Sequence, residues 1–183
     1  MNNTDTDNYV LSFLDLVAQS TLGQAEQAVQ WYADAELLAH DLIRIFANRG
    51  IVANLEQCAS VISSFSPRQR WSRNVVQALD FANGNPYAGL KNNLVMAQNS
   101  LVLGFDALKG LKTNAFARAI AGDESAITID VWMCKAGGLN TNAPTRQQYR
   151  ELSEAVKIVA ATIGMTPRAT QALIWIVYRG SAV

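Results

Sequence analysis

The spacing of apolar residues along the chain is helical almost throughout. In the clearest stretch they recur every three or four positions, at Trp31, Ala35, Leu38, Leu42 and Ile45. This spacing places them on one face of a helix, which ends at residues 48–50, Asn-Arg-Gly. A shorter helix is predicted from about Leu55 to Ser63.

Signals typical of helix ends divide the rest of the chain. Ser66 and Pro67 predict an N-cap and first turn for a helix that runs to about Ala82. Residues 83–87, Asn-Gly-Asn-Pro-Tyr, predict a loop. Further helices are predicted over residues 90–103, 112–121, 131–134, 145–163 and 167–179. With no internal repeat and no convincing pair of strands, the fold class is all-α, with eight to ten short helices.

Length and composition favour one domain or two small lobes that share a core. Half of the 183 residues are hydrophobic, which excludes a disordered chain. The apolar run Ala172–Val177 is too short to cross a bilayer, and residues 1–8 have the composition of a disordered tail and not of a signal peptide.

Cys58 and Cys134 have no metal-binding spacing, so we expect buried, reduced thiols, no metal site and a cytoplasmic protein.

Charge is distributed unevenly although the net charge is zero. Residues 1–60 hold two basic and eight acidic side chains, whereas residues 61–183 hold thirteen basic and seven acidic ones. A neutral chain with one basic portion can still present a phosphate-binding face. The same segregation also occurs in proteins that never bind nucleic acid.

Residues 112–130 hold the strongest candidate chemistry. Lys112 opens a helix, residues 122–123 break it, and the short extended segment Ala126–Ile129 leads to Asp130 at the start of another helix. This order resembles the helix-hairpin-helix DNA glycosylases, in particular the endonuclease III branch. There a lysine just after the hairpin and an aspartate after an extended stretch point into one cleft, with the same 18-position separation.

The resemblance extends over most of residues 35–180. Residues 89–93 and the helix after them resemble the helix before the family's hairpin, and Ser64–Asn74 resembles the loop that enters the base stack. Tyr149–Arg179 resembles the closing helical pair. The implied fold has two lobes within residues 9–183. The hairpin lobe covers about residues 60–137, the second lobe covers residues 9–59 and 138–183, and the catalytic pair lies at the cleft.

Two departures from the family pattern limit what is carried over. The hairpin sequence Leu-Pro-Gly-Val/Ile-Gly is replaced by Asp106–Leu111, in which only Gly110 matches. A monovalent cation at the hairpin carbonyls is therefore an open expectation. The four-cysteine iron–sulfur loop is absent, so no cluster is expected, and Trp132 stands where the family often has histidine.

The implied activity is removal of a damaged or modified base from double-stranded DNA by a monomeric, nucleoid-associated enzyme. The base must leave the stack, because C1′ is inaccessible within a duplex. Asp130 is the carboxylate that stabilises the cationic sugar, and Lys112 is the amine that attacks C1′, with strand cleavage as the consequence. Each residue has a plainer interpretation: Asp130 as an N-cap and Lys112 as a solvated first-turn lysine.

The resemblance also implies DNA contacts. Lys109 and Gly110 fit phosphate binding at the hairpin, by charge and by backbone amide, and Arg68 or Gln69 can fill the space left by the base. Weaker candidates are Arg70 and Arg73 for phosphates and Trp71 and Tyr87 for base stacking. The alternatives are a solvated face for the arginines and Gln69 and a core position for Trp71. A catalytically silent DNA- or protein-binding module on the same scaffold, and a helical domain of unrelated function, remain open.

Overall fold

The computed structural model describes residues 3–180, and no strand occurs among them, so the predicted all-α class is confirmed. The helices are α1 (Asn3–Ala18), α2 (Leu22–Asn48), α3 (Leu55–Ser64), α4 (Trp71–Asn83), α5 (Lys91–Leu103), a 3-10 helix (Gly104–Ala107), α6 (Leu111–Ile120), α7 (Val131–Ala136), α8 (Arg146–Ile163) and α9 (Pro167–Arg179). None of these helices has the length and apolarity needed to cross a membrane.

Capping residues set several helix ends where the sequence predicts them. Thr145 and Gln148 form the predicted capping box at the start of α8, and Gly164 ends that helix in the left-handed conformation. The Thr166 hydroxyl accepts a hydrogen bond from the amide of Ala169 at the start of α9, with Pro167 in the first turn. These boundaries are confirmed because they depend on local chemistry alone.

Two predicted boundaries are wrong. The disordered tail over residues 1–8 is replaced by helix from Asn3 onward, since Tyr9 and Phe13 bury one face of α1; residues 1 and 2 lie outside the described residues. Helix α4 begins at Trp71 and not at Ser66. Arg68 has a φ of 60°, a left-handed conformation that a right-handed helix cannot contain.

The chain divides into two compact units. Among the described residues, unit 1 contains residues 3–32 and 124–180, and unit 2 contains residues 33–123. The boundaries therefore differ from the predicted ones at residues 60 and 137, because most of α2 belongs with unit 2 and residues 124–137 belong with unit 1. Unit 2 has nine basic and seven acidic side chains, a net charge of +2. This net charge is smaller than the +6 of residues 61–183, which hold thirteen basic and seven acidic side chains.

Unit 1 has a continuous apolar core built by α1, α7, α8 and α9. Phe13, Met133, Leu152 and Ile174 each come from a different one of these helices and are fully buried. Gly137 permits the end of α7 to lie close to α8, because a Cβ atom there would meet a methyl group of Leu152 at 2.7 Å.

Helix α3 is the centre of unit 2 and packs against α4, α5, α6 and the 3-10 helix. Its residues 58–64 are buried on all sides, and small serines let the neighbouring helices approach. The Ser63 hydroxyl donates to the carbonyl of Thr113 on α6 at 2.7 Å. The Ser64 and Ser100 hydroxyls are hydrogen-bonded at 3.0 Å, which joins α3 to α5.

Both cysteines are free and buried, as predicted, and their burial makes stability sensitive to alkali. Loss of hydration raises the pKa of Cys58 to about 12 and of Cys134 to about 11, from a usual value near 9. The folded state therefore holds these protons more tightly than the unfolded chain. Their contribution to stability is complete below about pH 9 and is lost as the pH rises toward 11 and 12.

We expect the free energy of unfolding, measured by urea titration, to fall between pH 9 and 11. The slope approaches about 1.4 kcal/mol per pH unit for each thiol. A variant with Cys58→Ala and Cys134→Ala should show a shallower decline over this range. Equal declines in the two proteins would contradict the assignment to the thiols.

Candidate active site and DNA-binding residues

The segment that leads to Asp130, residues 126–129, is buried and has no regular secondary structure, and a tyrosine side chain holds it. The Tyr149 hydroxyl donates to the carbonyl of Ile127 at 2.9 Å and accepts from the amide of Ile129 at 3.2 Å. A neighbouring strand would normally satisfy such groups. Burial raises the pKa of Tyr149 to about 12, so the hydroxyl keeps its proton and can serve both partners.

Asp130 caps α7 and is held by three N–H donors. Its Oδ1 atom accepts from the amides of Trp132 and Met133, both at 2.9 Å. Its Oδ2 atom accepts from the indole Nε1 of Trp175 on α9 at 3.1 Å. The carboxylate is thus fixed in orientation while the residue remains partly exposed. The plainer interpretation of Asp130 as an N-cap is therefore confirmed.

Trp132, which follows Asp130 closely on α7, and Trp175, which donates to Asp130 from α9, both contact cationic side chains. The guanidinium of Arg179 lies 4.2 Å from the Trp175 ring centre and 5.4 Å from that of Trp132. The Lys135 ammonium lies 5.0 Å from the Trp132 ring, and Trp31 lies 6.4 Å from Trp175. None of Lys135, Trp175 and Arg179 is among the predicted site residues. The sequence indicates these contacts only through spacing. Lys135 follows Trp132 by three positions on α7, and Arg179 follows Trp175 by four positions on α9, so each pair shares a helix face.

In unit 2, α5, the 3-10 helix and α6 form a helix–turn–helix segment with a tightly held turn. The side-chain amide of Asn114 donates to the carbonyl of Phe105 at 3.0 Å and to that of Leu108 at 3.3 Å. These two carbonyls therefore face a hydrogen-bond donor. They do not fit the expected monovalent cation.

The predicted hairpin residues lie at the start of α6. Lys109 is exposed, and Gly110 is the N-cap, whose lack of a side chain leaves the first amides uncapped. The Gly110 carbonyl accepts the first intrahelical hydrogen bond, from Asn114. Lys112 follows in the first turn and is half-buried. Uncapped amides beside lysines are suited to binding a phosphate.

The other predicted DNA contacts lie before and within α4. Arg68 and Arg70 are exposed on the loop between α3 and α4, and Gln69 is half-buried there. Arg73 donates to the carbonyl of Ala88 at 2.9 Å, so it also anchors the loop before α5. The left-handed Arg68 is a strained position for a residue with a side chain, and such strain is often found at binding loops.

The two predicted stacking residues pack inside unit 2. The Trp71 ring lies 6.3 Å from Phe116 in an edge-to-face arrangement. Phe116 is one turn beyond Lys112, so Trp71 packs on the face of α6 that carries Lys112. The Tyr87 ring lies 5.3 Å from the buried Phe65, and burial raises the pKa of its hydroxyl. Tyr87 therefore contributes to packing, and Trp71 is partly core within the unit.

Within unit 2, α6, which begins at the hairpin residues, contacts the two helices that flank the loop before α4. Trp71 of α4 packs on Phe116, and Ser63 of α3 is hydrogen-bonded to Thr113. Asp130 belongs to unit 1 and Lys112 to unit 2. Within residues 3–180, no group of three histidine, cysteine, aspartate or glutamate side chains is placed to hold a metal ion.

The fold and these residues define an all-helical protein with a capped, hydrogen-bonded aspartate in one unit and a lysine-bearing helix–turn–helix segment in the other. Residues 1–182 match the family of unknown function DUF7178, and the chain belongs to that family. Neither a curated protein nor a solved structure matches the chain.

Tyr149 offers a test of how Asp130 is positioned. Replacing Tyr149 with Phe leaves the buried groups of Ile127 and Ile129 without this partner. We expect the free energy of unfolding, measured by urea titration, to fall by about 1–3 kcal/mol. Tyr178→Phe, at an exposed position on α9, is the control and should change it little. A loss below about 0.5 kcal/mol in the Tyr149 variant would mean that water replaces the hydroxyl.

Proposed function

We propose that this protein is a DNA N-glycosylase with AP-lyase activity on a helix-hairpin-helix-like scaffold. Its substrate is double-stranded DNA with a damaged or modified base, and Asp130 and Lys112 act on the sugar of the extruded nucleotide. The observation that carries the proposal is Asp130 itself. Its carboxylate is fixed by three donors, partly exposed, and placed 18 positions after a first-turn lysine.

The turn before α6 supports a DNA-binding role. The uncapped start of α6, with exposed Lys109 and half-buried Lys112, offers amides and charges to a phosphate. Exposed Arg68 and Arg70 belong to the same unit and add positive charge. Phosphate contacts of this kind position a duplex without reading its sequence.

Asp130 supplies electrostatic stabilisation during base removal. As the bond between C1′ and the base breaks, its electron pair leaves with the base and positive charge develops on the sugar. A carboxylate held in place before the reaction stabilises that charge without reorganising. The bonds from Trp132, Met133 and Trp175 hold Asp130 in that way.

Lys112 supplies the nucleophile for the lyase step. Its neutral amine adds to C1′ of the abasic sugar, a water molecule leaves, and an iminium remains. Loss of a proton from C2′ then expels the 3′ phosphate and cleaves the strand. The position of Lys112 in the first turn of α6, half-buried on the Trp71 face, is compatible with this role.

The same hydrogen bonds support a second candidate function. The two backbone amides are the partners that a structural N-cap needs, the bond from Trp175 can serve to join α7 to α9, and neither requires chemistry. A DNA-binding module without catalysis would keep the positive α6 turn and the arginines of the α4 loop. The two candidates differ in whether a covalent intermediate forms.

Borohydride trapping on a duplex with one abasic site tests Lys112. We expect a covalent adduct with the native protein and none with Lys112→Ala, because borohydride reduces the iminium to a stable amine. Lys91→Ala is the matched control, since Lys91 also lies in the first turn of a helix in unit 2. An adduct that survives in the Lys112 variant, or no adduct in any protein, would contradict the lyase assignment.

Asp130→Asn separates capping from catalysis. Asparagine caps helices about as well as aspartate, whereas Asp130→Ala should cost about 0.5–2 kcal/mol of stability. We expect the Asn variant to remain folded and to release bases about 100-fold to 1,000-fold more slowly. The assay scores abasic sites in duplexes that carry one oxidised, mispaired or hypermodified base. Full activity in a folded Asn variant would assign Asp130 to structure alone.

A further inference from the structure

Helix α5 of unit 2 has a more apolar outward face than inward face, which is the reverse of the usual pattern for a helix at a protein surface. Its inward face carries Asn93, Ala97 and Ser100, which are buried. Val95 and Val102 lie two turns apart at the centre of the opposite face and are 45% and 75% exposed. The outward valines therefore require an explanation.

Hydrogen bonds within unit 2 account for the polar residues of the inward face. The side-chain amide of Asn93 donates to the carbonyl of Pro67 at 3.3 Å, and Ser100 is hydrogen-bonded to Ser64 of α3 at 3.0 Å. These contacts belong to the packing of α5 on α3 and on the loop before α4. They do not account for the apolar side chains on the other side of α5, which stay in contact with water.

The sequence of α5 is nearly symmetric about the point between Gln98 and Asn99. Residues 94–98 are Leu-Val-Met-Ala-Gln and residues 99–103 are Asn-Ser-Leu-Val-Leu, so positions at equal distances from this point carry similar side chains. Val95 lies three positions before Gln98, and Val102 lies three positions after Asn99. When two such helices pack antiparallel across a two-fold axis, each Val95 meets Val102 of the other copy. The amides of Gln98 and Asn99 then meet at the axis, where polar side chains fix the register of paired helices.

The two ends of α5 carry opposite charges. Lys91 lies in the first turn of α5, and Asp106 lies in the 3-10 helix that follows it, each seven positions from the centre of the symmetric stretch. Both side chains are exposed, and neither forms an ion pair within residues 3–180. The dipole of α5 also disfavours a lysine at the start of the helix. An antiparallel second copy would bring each Lys91 to the negative end of the other α5, beside Asp106.

We infer that the outward face of α5 is a self-association surface, on which two copies of this chain pair through antiparallel α5 helices. Val95 of each copy packs on Val102 of the other, and Lys91 of each copy pairs with Asp106 of the other. A partner of different sequence would not require the symmetry of this face. The inference replaces the monomer expected from the sequence. It does not rest on the proposed function, because the surface contains neither proposed catalytic residue.

Sedimentation equilibrium of the full chain, at about 1 µM to 1 mM protein, measures the pairing. We expect a reversible equilibrium between monomer and dimer. Val102→Glu should weaken the dimer by about 100-fold or more, because the two-fold symmetry removes two buried valines at once. Leu37→Glu is the matched control and should change nothing, since Leu37 is 60% exposed on α2 in the same unit. A monomer at every concentration, or a dimer that Val102→Glu leaves intact, would overturn the inference.

Charge reversal tests the pairing of the helix ends. Lys91→Glu and Asp106→Lys should each weaken the dimer by about 2-fold to 30-fold, because each change disrupts two exposed ion pairs. The double variant restores both pairs in reversed order and should recover the native affinity. Lys157→Glu, at an exposed position on α8, should leave the dimer unchanged. A double variant that dimerises more weakly than either single variant would rule out the antiparallel pairing.

Disulfide cross-linking tests the direction of the two helices. A mixture of Val95→Cys and Val102→Cys chains, one of them carrying a mass tag, should form a mixed disulfide-linked dimer. Each variant alone should cross-link little, because two copies of one position lie about 10 Å apart along antiparallel helices, beyond the reach of a disulfide. The native chain is the control, since Cys58 and Cys134 are buried. Cross-linking of each variant with itself, without a mixed product, would indicate parallel helices and contradict the inference.

Discussion

A buried segment without regular secondary structure, residues 126–129, is the constraint on which unit 1 depends. Residues 126–129 are buried, and their peptide groups must be hydrogen-bonded or destabilise the fold. Among residues 3–180 there is no strand to pair with this segment, and a side chain takes that role. The Tyr149 hydroxyl bonds both Ile127 and Ile129, and it therefore fixes where Asp130 begins α7. Asp130 in turn accepts from Trp175, so α7, α8 and α9 are all tied to this one segment.

Local chemistry explains which parts of the fold were predictable from sequence. The capping box at Thr145 and the start of α9 at Thr166 depend on residues three or four positions apart, and both are confirmed. The start of α4 was not predictable in this way. Ser66 and Pro67 have the composition of a helix start, but Arg68 adopts a left-handed conformation that its sequence does not announce. The helical conformation of residues 3–8 is not predictable in this way, because these residues are polar and Tyr9 and Phe13, which bury one face of α1, come only after them.

The candidate site was predictable only in part, for a related reason. The neighbours of Asp130 in sequence predict that it lies at the start of a helix, and the structure confirms that position. Tyr149 and Trp175, which orient the segment and the carboxylate, lie 19 and 45 positions away in sequence. Tertiary packing alone brings them to Asp130. The same holds for Arg179, which reaches Trp132 only because α9 packs against α7.

The two interpretations of Asp130 are compatible when its acceptor sites are counted. A carboxylate offers about four lone-pair sites, and capping here uses only those of Oδ1, through the amides of Trp132 and Met133. Trp175 takes one site of Oδ2. The remaining site and the negative charge are not needed by the helix. Capping therefore fixes the orientation of the carboxylate and leaves one acceptor site of Oδ2 unused by the helix. Electrostatic stabilisation of a developing cation requires a carboxylate that is oriented in advance in this way.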